Sequence, residues 1–140
     1  MLGTHVVKHW SATQHTYALS FGESEYYALV KASSLAMGLQ SMLLDVNIAT
    51  SIDVKADASA AIGIASRRGL GRVRHIEVAQ LWIQEKVAKG VISLVKVPGQ
   101  ANLADALTKH VTADILNYHC EHTMQHARTE RQRLMPNIIA

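Results

Sequence analysis

The chain has 140 residues, 49% hydrophobic and 18% charged, a balance that fits one compact folded domain and excludes a disordered or fibrous chain. Its one cysteine, Cys120, excludes an intrachain disulfide framework, and its net charge of +3 is modest but unevenly spread. No apolar run approaches the roughly 18 to 20 residues of a membrane helix, and the N-terminus carries no charged-then-apolar leader, so no membrane partner and a reducing intracellular compartment are expected.

In chain order, the alternating stretch 5–11, HVVKHWS, predicts a strand, although Val7 and Trp10 do not share one face. A second apolar stretch, 17–19, runs into Ser20-Phe21-Gly22-Glu23, a capping box for a long helix reaching about Val46. Leu29, Ala32, Ala36, Leu39 and Leu43 recur along that helix as a narrow stripe, with small residues that permit close approach to a sheet. One turn back along the stripe stands Glu25, either a first-turn acid favoured by the helix N-terminus or a carboxylate turned toward a site. Of the adjacent pair Tyr26 and Tyr27, one ring is expected to pack and the other to reach the surface.

Ile52, Val54 and Ala56 alternate with Asp53, Lys55 and Asp57, which predicts a half-buried strand ending at Asp57, followed by a short helix over 59–66. Asp57 either caps that helix or projects from the strand's carboxyl end into a crevice, where α/β sheets place their ligands. The stretch 67–75, RRGLGRVRH, then holds Arg67, Arg68, Arg72, Arg74 and His75 without one acid. Gly69 and Gly71 keep it non-helical, which leaves a solvated loop or a cationic surface for a nucleic-acid backbone.

An amphipathic helix over 76–88 closes on Lys89-Gly90, and a strand over 91–97 stops at Pro98-Gly99. Asn102 opens a further helix in which Asp105 is the third residue, placed either to cap it from within or to serve a site. In the tail, His119, His122 and His126 have a spacing compatible with one metal-binding helical face, but a polar helix with an exposed Cys120 thiol is the favoured reading.

Four pieces taken together carry a resemblance: SFGESEYYAL (20–29), VKADASAAIGIA (54–65), RHIEVAQLWIQEKV (74–87) and VKVPGQANLADALTKHV (95–111). They resemble the ribonuclease H domain of copia-type LTR retrotransposon Pol polyproteins, with its S-x-x-E-x-E-Y helix start, its aspartate at a strand end, its K/R-H-I helix start and its A-D-x-L-T-K element. Trp10, Ser11 and Gln14 resemble the W-S-x-x-Q element of that family's third strand. The resemblance implies an α/β ribonuclease H-like fold that is incomplete, lacking the first strand and most of the second. It places the partial domain at 1–111 and a C-terminal helical tail at 112–140.

The implied activity is hydrolysis of the RNA strand of an RNA–DNA hybrid during reverse transcription, using two magnesium ions held by four carboxylates. Magnesium prefers oxygen ligands, and a pair of such ions can activate water while neutralising the leaving oxygen. By position, Glu25, Asp57 and Asp105 match three catalytic and metal-binding acids of the family. Arg67, Arg68, Arg72, Arg74, His75 and Lys109 are the residues expected to contact nucleic acid. A fourth acid, from the family's first strand, has no counterpart, because no Asp or Glu occurs in the first 22 residues. An impaired magnesium site, unpaired sheet edges that invite pairing with another chain, and a non-cutting, nucleic-acid-binding remnant as the alternative are therefore expected. The resemblance also implies an upstream reverse transcriptase segment as a partner and residence in a cytoplasmic particle or the nucleus.

Overall fold

The computed structural model describes residues 1–14, 16–71, 76–105 and 110–125. Among these residues the chain is mixed α/β, with helices α1 (Phe21–Asp45), α2 (Ser59–Ser66), α3 (Trp82–Ala88) and α4 (Ala113–His122) and strands β1 (Ile52–Ala56) and β2 (Ile92–Lys96). Single 3-10 turns lie at Val78–Gln80 and Gly99–Ala101. None of the described helices is long and apolar enough to cross a membrane. The chain divides into two compact units, Ala12–Asn102 and the pair of segments Met1–Ser11 and Leu103–Ala140.

In the unit Ala12–Asn102, β1 and β2 pair in parallel, with Ile52 opposite Ile92 and Ala56 opposite Lys96. A parallel pair needs a long crossover, here supplied by α2 and α3. Helix α1 packs on β1 and α2, α2 packs on α3, and α3 packs on β2. Ile52 and Val54 are buried while Asp53 and Lys55 are exposed, so the period of two predicted for 52–57 sets which face of the sheet meets the core. Tyr26, Ala61, Ile83 and Ile92 lie at the centre of that core. Each large side chain removed from water there contributes about 1.5–3 kcal/mol before the entropy of ordering is set against it.

The start of α1 follows from its sequence. Ser20 Oγ accepts the Glu23 backbone N–H at 3.3 Å, and the Glu23 carboxylate reaches back to accept the Leu19 N–H at 2.9 Å. The predicted capping box is therefore reciprocal, but its return bond goes one residue further back than Ser20. Glu23 is only 2% exposed, which makes it the deeply buried acid of this turn. The helix stops at Asp45, where Val46 caps it and Asn47 adopts a positive φ of 61°.

The buried face of α1 is not centred on the predicted stripe. Tyr26, Leu29, Val30 and Ser33 are buried, whereas Leu39 and Leu43 are only half-buried and Met42, Leu44 and Val46 are exposed. The reason is length: 25 helical residues extend about 38 Å, while two strands make a sheet about 10 Å wide. The core runs out beneath the C-terminal half of the helix. Both Tyr26 and Tyr27 are buried, at 0% and 9% exposure, so the expectation of one surface ring fails. Their rings meet tilted at 58°, with centroids 6.2 Å apart.

In the other unit, the strand predicted over 5–11 does not form. Leu2 and His5 make one isolated antiparallel bridge around Gly3, and no strand follows. Alternation alone does not make a strand where no neighbour supplies a ladder. Helix α4 buries His119, whose Nδ1–H donates to the Leu103 carbonyl at 3.2 Å. The His122 ring stacks on Tyr118 with centroids 3.8 Å apart, and its Nδ1–H donates to the Tyr118 carbonyl at 2.8 Å. Both rings are thereby committed to contacts within the unit, and His126 lies outside the described residues.

Candidate nucleic-acid and metal site

The carboxyl ends of β1 and β2 lie side by side because the strands are parallel, and the chain leaves both there. Asp57 is the first residue past β1 and is half-buried. It does not cap α2: the N-cap position is Ala58, and no side chain bonds to the first turn. Among the described residues no hydrogen bond or ion pair holds its carboxylate. Beyond β2, Pro98 turns the chain so that a side chain on Gly99 would begin 3.6 Å from Asp57 Oδ2. The bare glycine keeps the mouth beside this carboxylate open. Val97 continues the ladder into the turn by donating to Ala56 at 3.0 Å.

A cation stands at the same edge. Lys96, the last residue of β2, donates from Nζ to Ser59 Oγ at the start of α2. Sequence reasoning did not single out Lys96. Its signal was its place as the last residue of a strand, directly before Val97-Pro98-Gly99. The ammonium and the hydroxyl can both donate to phosphate oxygens, whereas the Asp57 carboxylate, an acceptor only, would need a cation between it and a phosphate.

Glu25 lies on the first turns of α1 and is half-buried, engaged in an interaction within the chain. Near its start α1 packs closely on α2, since a Cβ on Gly22 would stand 2.8 Å from the Ala60 Cβ. Glu25 follows Gly22 by three residues, and Asp57 precedes Ala60 by three. A close approach of α1 to α2 thus lies within three residues of each acid in sequence. Asp105 is half-buried, also engaged, and belongs to the other unit. Carboxylate oxygens are the donors a hard dication prefers. Among the described residues, however, no three His, Cys, Asp or Glu side chains gather closely enough to hold a metal ion.

The basic loop has more internal structure than its composition suggests. Gln84 on α3, only 7% exposed, donates from Nε2 to the Ile64 and Gly69 carbonyls at 2.9 and 3.1 Å. Its Oε1 accepts the Gly69 N–H at 2.8 Å. Arg67 folds back to donate to the Leu70 carbonyl at 2.6 Å, and a Cβ on Gly71, where φ is +58°, would strike its guanidinium at 2.8 Å. Its Nε is buried with no hydrogen-bond partner among the described residues. Arg67 therefore braces its own loop, whereas Arg68 is exposed. Arg72, Arg74, His75 and Lys109 lie outside the described residues.

Beneath this loop Tyr26 donates its hydroxyl to the Gln80 carbonyl at 2.8 Å. Burial, with a smaller effect from Tyr27, pushes its pKa up to about 12, against a lowering by Arg67. The Tyr27 hydroxyl is raised too, first by burial and then by Glu23 and Glu77. Both phenols stay protonated in neutral solution and act here as structure. No protein-family model matches the chain, and no solved structure matches it.

Proposed function

We propose that the chain is a piece of a ribonuclease H domain of the copia-type retrotransposon kind, engaging RNA–DNA hybrids at the carboxyl edge of its parallel strands, with cleavage impaired. The observation that carries the reading is Asp57: a carboxylate at the end of β1 that caps nothing, with Gly99 leaving space before it. The packing of Gly22 on Ala60 supports the same reading, since it sets the start of α1, which carries Glu25, against the helix that follows Asp57. Such hybrids are recognised mainly by shape, phosphates and 2′-hydroxyls, which Lys96 and the exposed Arg68 suit. Impairment is expected because the family's fourth acid has no counterpart, no Asp or Glu occurring in the first 22 residues.

The test is magnesium-dependent cleavage of a labelled RNA strand in an RNA–DNA hybrid, run on the chain and on Asp57→Asn. Cleavage by the chain and not by the variant would establish a working nuclease that depends on Asp57. Salt-dependent binding of the hybrid without cleavage would favour a second reading, a non-cutting binding module, which the ammonium of Lys96 beside Ser59 supports. Neither binding nor cleavage would end both readings.

A further inference from the structure

We propose that two copies of this chain associate through the outer edges of their β1 strands, running antiparallel about Val54. The proposal extends the reading above, in which an incomplete ribonuclease H-like sheet leaves an edge unpaired, but it is tested by association and not by cleavage. Strand β1 pairs with β2 on one side only, and among the described residues no backbone pairs with its other side. An edge of that kind presents a row of unsatisfied N–H and C=O groups, a template for a further strand.

Charged residues on an edge often prevent such pairing, but like charges set directly opposite destabilise a strand pair whereas opposite charges stabilise it. Here the order Ile52-Asp53-Val54-Lys55-Ala56 is self-complementary in sign. A two-fold axis through Val54 sets Asp53 opposite Lys55 of the second copy, and Lys55 opposite Asp53 of the second copy. Ile52 then meets Ala56 and Val54 meets Val54, on the face that the core covers in each copy. Asp53 and Lys55 are exposed and lie together on the other face, so pairing requires neither to be buried. A C2 contact is the commonest way in which identical chains close an interface.

Competing arrangements fit less well. An in-register parallel pairing of β1 places Asp53 beside Asp53 and Lys55 beside Lys55, both repulsive. The outer edge of β2, Ile92-Ser93-Leu94-Val95-Lys96, turned about Leu94 sets Ile92 against Lys96 and Ser93 against Val95, with no opposite charges to pair. The sign pattern thus selects one edge and one direction.

The experiment is sedimentation velocity of the full chain across a concentration series, with Asp53→Lys, Lys55→Asp, the double variant and an equimolar mixture of the two single variants. The chain itself should form a dimer. Each single variant places like charges opposite each other twice per interface and should weaken association at least about tenfold. The double variant should recover the dimer, and the mixed single variants should form a heterodimer about as tight as the original. Far-UV circular dichroism should show all variants folded, because both positions are exposed. A chain monomeric at every concentration, a dimer unmoved by the single reversals, or a mixture of single variants that fails to associate would each overturn the proposal.

Discussion

Gly22 of α1 faces Ala60 of α2 so closely that a single added carbon on the glycine would stand 2.8 Å from the alanine methyl. Backbone and methyl cannot both hold their places at that separation. Gly22→Ala should therefore push α1 off α2, at an overpacking cost of about 1–3 kcal/mol that exceeds the roughly 0.5–1 kcal/mol gained in helix propensity. Urea unfolding should show a net loss of about 1 kcal/mol. Any hybrid binding or cleavage should fall with it, because the same contact positions the turns carrying Glu25 and Asp57.

Tyr26 couples stability to alkaline pH. Burial pushes its pKa up from the ordinary tyrosine value of 10.0 to about 12, so the folded state holds the phenolic proton more tightly than the unfolded chain does. The resulting stabilisation is fully present below about pH 10 and is lost as pH rises through about 12, at most about 3 kcal/mol in all. Tyr26→Phe should remove most of that alkaline loss. It should also cost about 1 kcal/mol at neutral pH, because the Gln80 carbonyl loses its donor. Thermal unfolding at stepped pH values measures both effects.

Gln84 is the residue whose loss should loosen the basic loop. In Gln84→Leu, Gly69 and the Ile64 carbonyl lose their partners, and a cost of about 1–3 kcal/mol is expected. Hydrogen exchange at the Gly69 amide should accelerate by far more than at amides of β1, since the sheet has its own ladder.

Ser33 offers the opposite sign. Its side chain is fully buried on α1 and, among the described residues, its hydroxyl has no hydrogen-bond partner. Ser33→Ala should stabilise the chain by about 1 kcal/mol, since it removes an unsatisfied polar atom and improves helix propensity. An unchanged or lower unfolding midpoint would mean that the hydroxyl finds a partner in solution.

Glu23 should behave as a cap with a buried carboxylate. Glu23→Ala releases the Leu19 N–H and should cost about 1–2 kcal/mol, while Glu23→Gln keeps an acceptor and should cost less. Comparing the two variants by denaturant unfolding separates the hydrogen bond from the charge.

What could be read in the sequence was whatever is fixed locally. Ser20 and Glu23 announce the start of α1, and Ile52 to Ala56 announce a half-buried strand by their period of two; the helix over 59–66 matches α2 at both ends. The predicted helix over 76–88 divides instead into the 3-10 turn Val78–Gln80 and α3. The stripe through Leu39 and Leu43 misled because periodicity reports which face is apolar, whereas how far the core extends depends on how many strands lie beneath. The two tyrosines misled for a similar reason: Tyr26 reaches the Gln80 carbonyl and Tyr27 feels the charge of Glu77, residues distant in sequence. At the candidate site, Asp57 could be placed at a strand end, but the neighbouring Lys96 and Gly99 emerge only once the parallel register is known. Arg67 read as a surface cation because composition cannot reveal a guanidinium folded under its own loop.

The parallel pairing of Ile52 with Ile92 also governs how the chain must reach this state. No hairpin can nucleate the sheet, because α2 and α3 lie between its strands and must be collapsed before the ladder can close. The closure entropy of that long loop is met early, while the contacts that repay it form late. Folding of this unit should accordingly be slow for its size, and a fragment ending before β2 should leave β1 without a ladder and fail to fold cooperatively.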